Sequence, residues 1–326
     1  MAIVILNKDN AEGLRETLSS LLEQSCPLCT CFDLYVVDGG SRDNSKEIFE
    51  NLSRDRDCMY FIEQSVKRGT GPARREVIER LLRDKYDLVI WGDSENKYDR
   101  DYIINILERF CSERDREKDK ILIISGRSIV RSESIWSHVF FWYHTYHQIF
   151  PVGVGDRHAP GNNKCEQTLV YRYLIYPPCS RSEDFIFSYY LYKNFREKIK
   201  YIHERRAVVR VALPKTFRDI VRWQRARVKG LVECSRYMGY RSPPDFIYWF
   251  VFFLYNILLL LLSLTGNIIS VILYTLSIGL ASLFLFVKSR DSIERPSIFT
   301  GFLGYIGLFL HSLFTLYYVI KFSRET

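Results

Sequence analysis

The sequence predicts an α/β fold with a doubly wound, mostly parallel sheet, followed by an interfacial helix and about three transmembrane helices. Three observations carry this. Short β-branched runs alternate with helically spaced segments through the first half of the chain, an order that gives parallel strands joined by helical crossovers. Two of the runs end on an aspartate entering a turn, at Asp38-Gly39-Gly40 and at Gly92-Asp93-Ser94. Such sheets bind ligands beyond those strand ends. Finally, residues 246–287 and 296–320 contain no charged side chain, and a spanning helix needs about 20 mostly apolar residues.

Element by element, residues 3–6 form a first strand. Leu14, Leu18, Leu21 and Leu22 then share one face of a helix over 11–22. Residues 32–37 form a second strand, which turns at Asp38 into a helix from about Asn44. Residues 59–63 form a third strand. Gly71-Pro72 opens a helix to Leu82, with proline at a tolerated early position. Residues 88–91 and 121–125 form further strands. The aromatic-rich stretch 135–150 reads as a helix, and 167–173 as a strand. Ser182-Glu183-Asp184 starts a helix to about Phe195, with Ser182 as its cap, and 207–212 forms a short strand. The expected organisation is a catalytic domain over 1–213, a basic interfacial region over 214–244 and a membrane domain over 245–326. Its spans lie at about 246–264, 268–287 and 297–320, with Thr265-Gly266-Asn267 as the first turn.

The first 244 residues hold 41 basic and 34 acidic residues. That excess suits an anionic membrane face and an anionic ligand; with no clustered basic tail or nucleic-acid motif, nucleic acid is not an expected partner. The first residues read as a buried strand rather than a signal peptide. The soluble domain is therefore expected in the cytoplasm, beneath a multi-pass membrane anchor. Lys288, Arg290 and Arg295 between the second and third spans fit an inside loop. Cys26, Cys29 and Cys31 lie close together, but no fourth ligand completes a zinc set; core thiols or a disulfide are expected. His144 and His147 have helical i, i+3 spacing without a third ligand, which fits packing better than metal.

Several residues have the chemistry for group transfer from a phosphorylated donor. Asp93 and Glu95 place two hard oxygen ligands beside each other, suited to Mn²⁺ or Mg²⁺ with donor phosphates completing the shell; a solvated acidic turn is the alternative. Asp38 stands where a nucleotide-contacting carboxylate would, or acts as a turn residue. Glu183 and Asp184, at a helix start, are candidate bases or simple capping residues. Lys67 and Arg68, in Lys67-Arg68-Gly69-Thr70-Gly71-Pro72, form a candidate donor loop that matches no standard phosphate fingerprint. Gln224 and Arg227 lie at i and i+3 on one helix face. The same stretch also reads as a membrane-surface helix, with Arg218, Arg222, Arg225, Arg227 and Lys229 on headgroups and Phe217, Ile220, Val221 and Trp223 dipping into the bilayer.

The order of these residues, from VVDGGSRDNS over 36–45 to PKTFRDIVRWQRARVKG over 214–230, resembles glycosyltransferase family 2, cellulose-synthase-like branch, over residues 2–245. The chain is similar to minimal archaeal membrane mannosyltransferases. The resemblance implies a GT-A fold with Asp38 on the nucleotide and Asp93 on the metal-diphosphate. Glu95 replaces the usual second aspartate. Asp184 is implied as the base, and Gln224 and Arg227 sit over the diphosphate and acceptor. It implies inverting transfer of one sugar from a nucleotide sugar (mannose from GDP-mannose is the expectation) to a dolichol-type lipid-linked glycan, as in N-glycan precursor assembly. Val228 stands where the family's Gln-x-x-Arg-Trp motif has tryptophan. That change and the absence of spans ahead of the domain argue for single transfer. A polyprenyl-phosphate glycosyltransferase, a processive synthase and an inactive membrane scaffold are the alternatives.

Overall fold

A computed structural model describes residues 1–66 and 69–325, and the chain divides into two compact units. The first comprises residues 1–128 and 146–211; the second comprises 129–145 and 212–326. Residues 129–145, which the sequence places in the catalytic domain, thus group with the C-terminal apolar helices.

The first unit is built on one mixed sheet. Strands β1 (Ala2–Asn7), β2 (Asp33–Asp38), β3 (Met59–Glu63) and β4 (Leu88–Asp93) pair in parallel in the order β3-β2-β1-β4. Their alternate residues fill two cores. Val4, Val37, Val89 and Trp91 face helix α3 (Thr70–Arg83) and helix α6 (Glu183–Phe195), while Ile3, Ile5, Val36 and Ile90 are buried on the other side. Burial on both faces is why these strands read as continuous apolar runs. Helices α1 (Ala11–Leu22), α2 (Ser45–Ser53) and α4 (Tyr102–Arg116) complete the layers, and the short strand β5 (Asn96–Tyr98) follows β4.

Beyond β4 the sheet departs from the expected parallel order. Strand β7 (Asn163–Gln167) runs antiparallel to β4 with Gly92 opposite Asn163, and antiparallel to β6 (Ile121–Val130). The start of β7 therefore lies beside the end of β4. The strand expected at 167–173 is therefore displaced to Asn163–Gln167, and residues 168–172 form a 3-10 turn. The short strand expected at 207–212 is the end of the long β8 (Ile199–Val211), which carries β5 at the sheet edge. Disulfides Cys26–Cys31 and Cys29–Cys58 tie the loop after α1 to the start of β3, in keeping with the disulfide expectation.

The second unit holds α5 (Ile135–Ile149) only as far as Thr145, together with α7 (Phe217–Tyr237), α8 (Phe246–Leu264), α9 (Ile268–Ser289) and α10 (Thr300–Arg324). The last three are long and apolar enough to cross a membrane. Thr216 caps α7 by accepting from the Asp219 N–H at 3.2 Å, and Asn267 caps α9 by accepting from Ser270 at 3.1 Å. Within this unit α10 packs by close backbone approach: a Cβ on Gly307 would stand 1.8 Å from the Val139 carbonyl oxygen. Small residues serve apolar helices in this way, because dispersion contacts replace a hydrophobic driving force inside lipid.

Candidate active site

The carboxyl end of β4 and the start of α6 meet in the first unit. Asp93 and Glu95 are both partly buried, and Asp93 lies in the field of Arg74, Glu183, Arg181 and Asp184. Desolvation pushes Asp93 up to about 6, with Arg74 and Arg181 opposing; it pushes Glu95 up to about 7, with Asp93's charge adding to the rise. Two adjacent carboxylates that repel each other in a desolvated site are stabilised by a hard cation. No third His, Cys, Asp or Glu joins them among the described residues, so the remaining ligands of such a cation have to come from the donor phosphates and water. The residues present fit a metal bound with its nucleotide.

Glu183 and Asp184 differ sharply despite being neighbours. Glu183 is buried; its Oε1 accepts from Arg74 Nε at 2.8 Å and its Oε2 accepts from the Thr70 hydroxyl. With both oxygens engaged it is a structural anion, not the base expected from its position. Asp184 is partly exposed. Its Oδ2 accepts from the Gly161 N–H at 2.8 Å, which leaves Oδ1 for a ligand. Ser182 occupies the cap position as expected, but in a left-handed conformation (φ 61°) and without a side-chain cap bond.

Beneath these groups lies a buried ionic layer. Lys164 pairs with Glu166 at 3.0 Å, and Glu166 also accepts from Trp91, Tyr171 and Tyr176. Burial favours the neutral acid, but Lys164 and the two phenol hydroxyls outweigh it and hold Glu166 below the ordinary carboxylate range.

Asp38 closes its turn. Its Oδ1 accepts from Asn7 Nδ2 at 2.8 Å and the Ser41 hydroxyl at 2.6 Å, and its Oδ2 accepts from the Gly40 and Ser41 N–H groups at 2.9 and 2.7 Å. A carboxylate has about four acceptor sites, and these bonds fill them. The turn role, not direct nucleotide contact, is what this geometry supports. Asp38 nevertheless borders a cavity of about 280 Å³ lined also by Ser41, Arg42, Lys46, Phe61 and Glu63. Lys67 and Arg68 lie outside the described residues.

Gln224 and Arg227 belong to the second unit, where both are buried. Arg227 donates from Nε to Gln224 Oε1 at 3.1 Å and from Nη2 to Thr315 on α10 at 2.8 Å. Arg227 therefore leaves the exposed basic stripe expected of it, which keeps Arg218, Arg222, Arg225 and Lys229. Val228 packs against Val232, Tyr318, Val319 and Phe322. Trp223, by contrast, meets Tyr143 at 4.5 Å and stacks on His144.

Arg74, Gly161, Arg181 and Lys164 escaped the sequence reading. Arg74 lies inside a helix whose local sequence does not name the distant groups it meets, and Gly161 has no side chain to advertise a role. Arg181, two residues before Glu183, was the one with a usable signal: a cation next to candidate carboxylates.

Residues 2–150 match the family described as glycosyl transferase family 2. No curated protein matches the chain. Among solved structures, the mannosyltransferase PcManGT from Pyrobaculum calidifontis, in complex with GDP-Man and Mn²⁺, superposes with a TM-score of 0.60 at 16% identity, over 97% of this chain and 86% of that one. S. aureus TarS 1-349 in complex with UDP-GlcNAc reaches 0.47 at 15% identity, over 71% of this chain and 66% of that one. The first likeness establishes the fold alone. Residues 2–150 carry a glycosyltransferase family 2 domain, and the protein is a glycosyltransferase of the GT-A fold.

Proposed function

We propose that the protein is an inverting, metal-dependent enzyme that moves one sugar from a nucleotide donor to a lipid-linked acceptor at the cytoplasmic face of a membrane. The observation that carries this is Asp184: a partly exposed carboxylate, anchored through one oxygen and within the field of the cation-suited pair Asp93 and Glu95. Asp184 Oδ1 takes the proton of the acceptor hydroxyl. The freed oxygen attacks the anomeric carbon opposite the diphosphate, forming the new C–O bond as the sugar–phosphate bond breaks, so configuration inverts. A cation held by Asp93 and Glu95 would take up charge growing on the leaving diphosphate. Arg181 sits in the same field and adds positive charge there. Lys67 and Arg68 complete the proposed donor set.

The donor we favour is GDP-mannose, because the solved mannosyltransferase of similar fold is described with GDP-Man and Mn²⁺. The acceptor we favour is a dolichol-type lipid-linked glycan in N-glycan precursor assembly, since three apolar helices accompany the catalytic domain. The test is turnover of purified protein on GDP-mannose and competing nucleotide sugars, with Mn²⁺, on lipid-linked glycans and on bare dolichyl phosphate. Single-sugar extension of the glycan is expected, with Asp184→Asn reducing turnover by about 10³-fold or more. Undiminished turnover by Asp184→Asn removes the base assignment. Transfer only to dolichyl phosphate, or long polymeric products, removes the acceptor or single-transfer assignment respectively.

A further inference from the structure

Arg74 is buried to 98% of its surface, and its guanidinium serves more than one partner. Nε donates to Glu183 Oε1 at 2.8 Å, and Nη2 donates to the Gly161 carbonyl oxygen at 2.7 Å. Those partners flank Asp184. Glu183 precedes it on α6, and Gly161 donates its own N–H to Asp184 Oδ2. One planar cation thus ties the loop ahead of β7 to the first turn of α6, with Asp184 held between them.

The clamp is itself held. The guanidinium lies over the rings of Trp91 and Tyr176, at 4.6 and 5.1 Å from their centroids. The Thr70 hydroxyl holds the second oxygen of Glu183. There is no slack at the junction: a Cβ on Gly161 would stand 2.9 Å from both Arg74 Nη2 and Asp184 Oδ2. The same turn keeps Ser182 in a left-handed conformation, which non-glycine residues adopt only where their surroundings impose it.

We infer that Arg74 is a positioning residue for the proposed base: through Gly161 and Glu183 it fixes where the Asp184 carboxylate points, without touching substrate. The inference rests on Asp184 being the base. It requires a fork of fixed geometry, which arginine has and lysine lacks.

The test uses the full-length protein and the nucleotide sugar that supports wild-type turnover. Arg74→Lys can keep the charge opposite Glu183 but cannot reach Gly161 in the same plane. Its kcat is expected to fall about 10- to 100-fold, since a misplacement of about 1 Å costs on that order, while the donor KM stays within about threefold. A second variant, Arg74→Met with Glu183→Met, replaces the buried pair by apolar groups, a swap that often leaves stability unchanged. It is expected to retain the wild-type Tm and the thermal shift given by the donor's nucleoside diphosphate with Mn²⁺, and to lose kcat at least as far. Wild-type kcat in either variant, or a kcat loss in Arg74→Lys matched by an equal loss of donor binding, overturns the inference. If the double variant does not fold, Arg74→Lys decides alone. Normal turnover by the Arg74 variants with an inactive Asp184→Asn refutes the positioning role only; an active Asp184→Asn refutes the base itself.

Discussion

Burial holds Asp93 and Glu95 in the protonated direction, at about 6 and about 7, with the charges of Glu183 and Asp184 adding to the rise at Asp93 and that of Asp93 adding to it at Glu95. An acid raised in the folded state keeps its proton where the unfolded chain has lost it. These two groups therefore oppose folding progressively as pH rises from about 4 to about 7, the reverse of a salt-bridged carboxylate. A cation binds only the deprotonated pair. Mn²⁺ affinity in the presence of nucleoside diphosphate is expected to weaken as pH falls from 8 to 5, by about tenfold per unit between about pH 7 and 6 and more steeply, towards about a hundredfold per unit, below about pH 6, where both carboxylates take up a proton. Calorimetric titration across that range checks it, and a flat affinity would refute the metal assignment. At this scale the sequence disclosed Asp93, Glu95 and Asp184, because a carboxylate after a strand or at a helix start is visible locally. The residues by themselves did not separate Glu183 from Asp184; only the family resemblance singled out Asp184. That distinction depends on Arg74 and Thr70, more than a hundred residues earlier, reaching one carboxylate and not the other.

Among the elements, α7 shows how a periodic pattern was partly legible. Ile220, Gln224, Arg227, Val228, Leu231 and Ser235 form its buried stripe, and Arg218, Arg222, Arg225 and Lys229 its exposed one. Helical spacing predicts both stripes, but not that an arginine belongs to the buried one; a partner on α10 supplies the hydrogen bond that makes this tolerable. The meaning of Val228 changes accordingly. In the second unit it fills an apolar contact with α10, so its small size is a packing requirement there rather than direct testimony about processivity. Val228→Trp is expected to overpack that contact and cost about 1–3 kcal/mol, seen as a lower Tm, without lengthening the glycan product. Longer products from this variant would restore the original reading of the position.

On the scale of the whole molecule, three helices present large apolar side chains outward, including Leu258, Leu261, Ile272, Leu280 and Phe302. Such surface is stable in hydrocarbon and not in water. The protein is expected to stay in the membrane pellet through an alkaline carbonate wash and to be released by detergent; recovery in the carbonate supernatant would count against spanning.

Composition and periodicity alone determined the α/β class, the strand-end aspartates and the three apolar helices, because each is a local property written in residues that are neighbours in sequence. The tertiary structure decided the antiparallel turn of β7 beside β4, the filled valence of Asp38, the split between Glu183 and Asp184, and the burial of Arg227. Each of these is set by which distant groups a polar side chain meets. A buried polar group is stabilised only by such partners, and the order of residues along the chain does not name them.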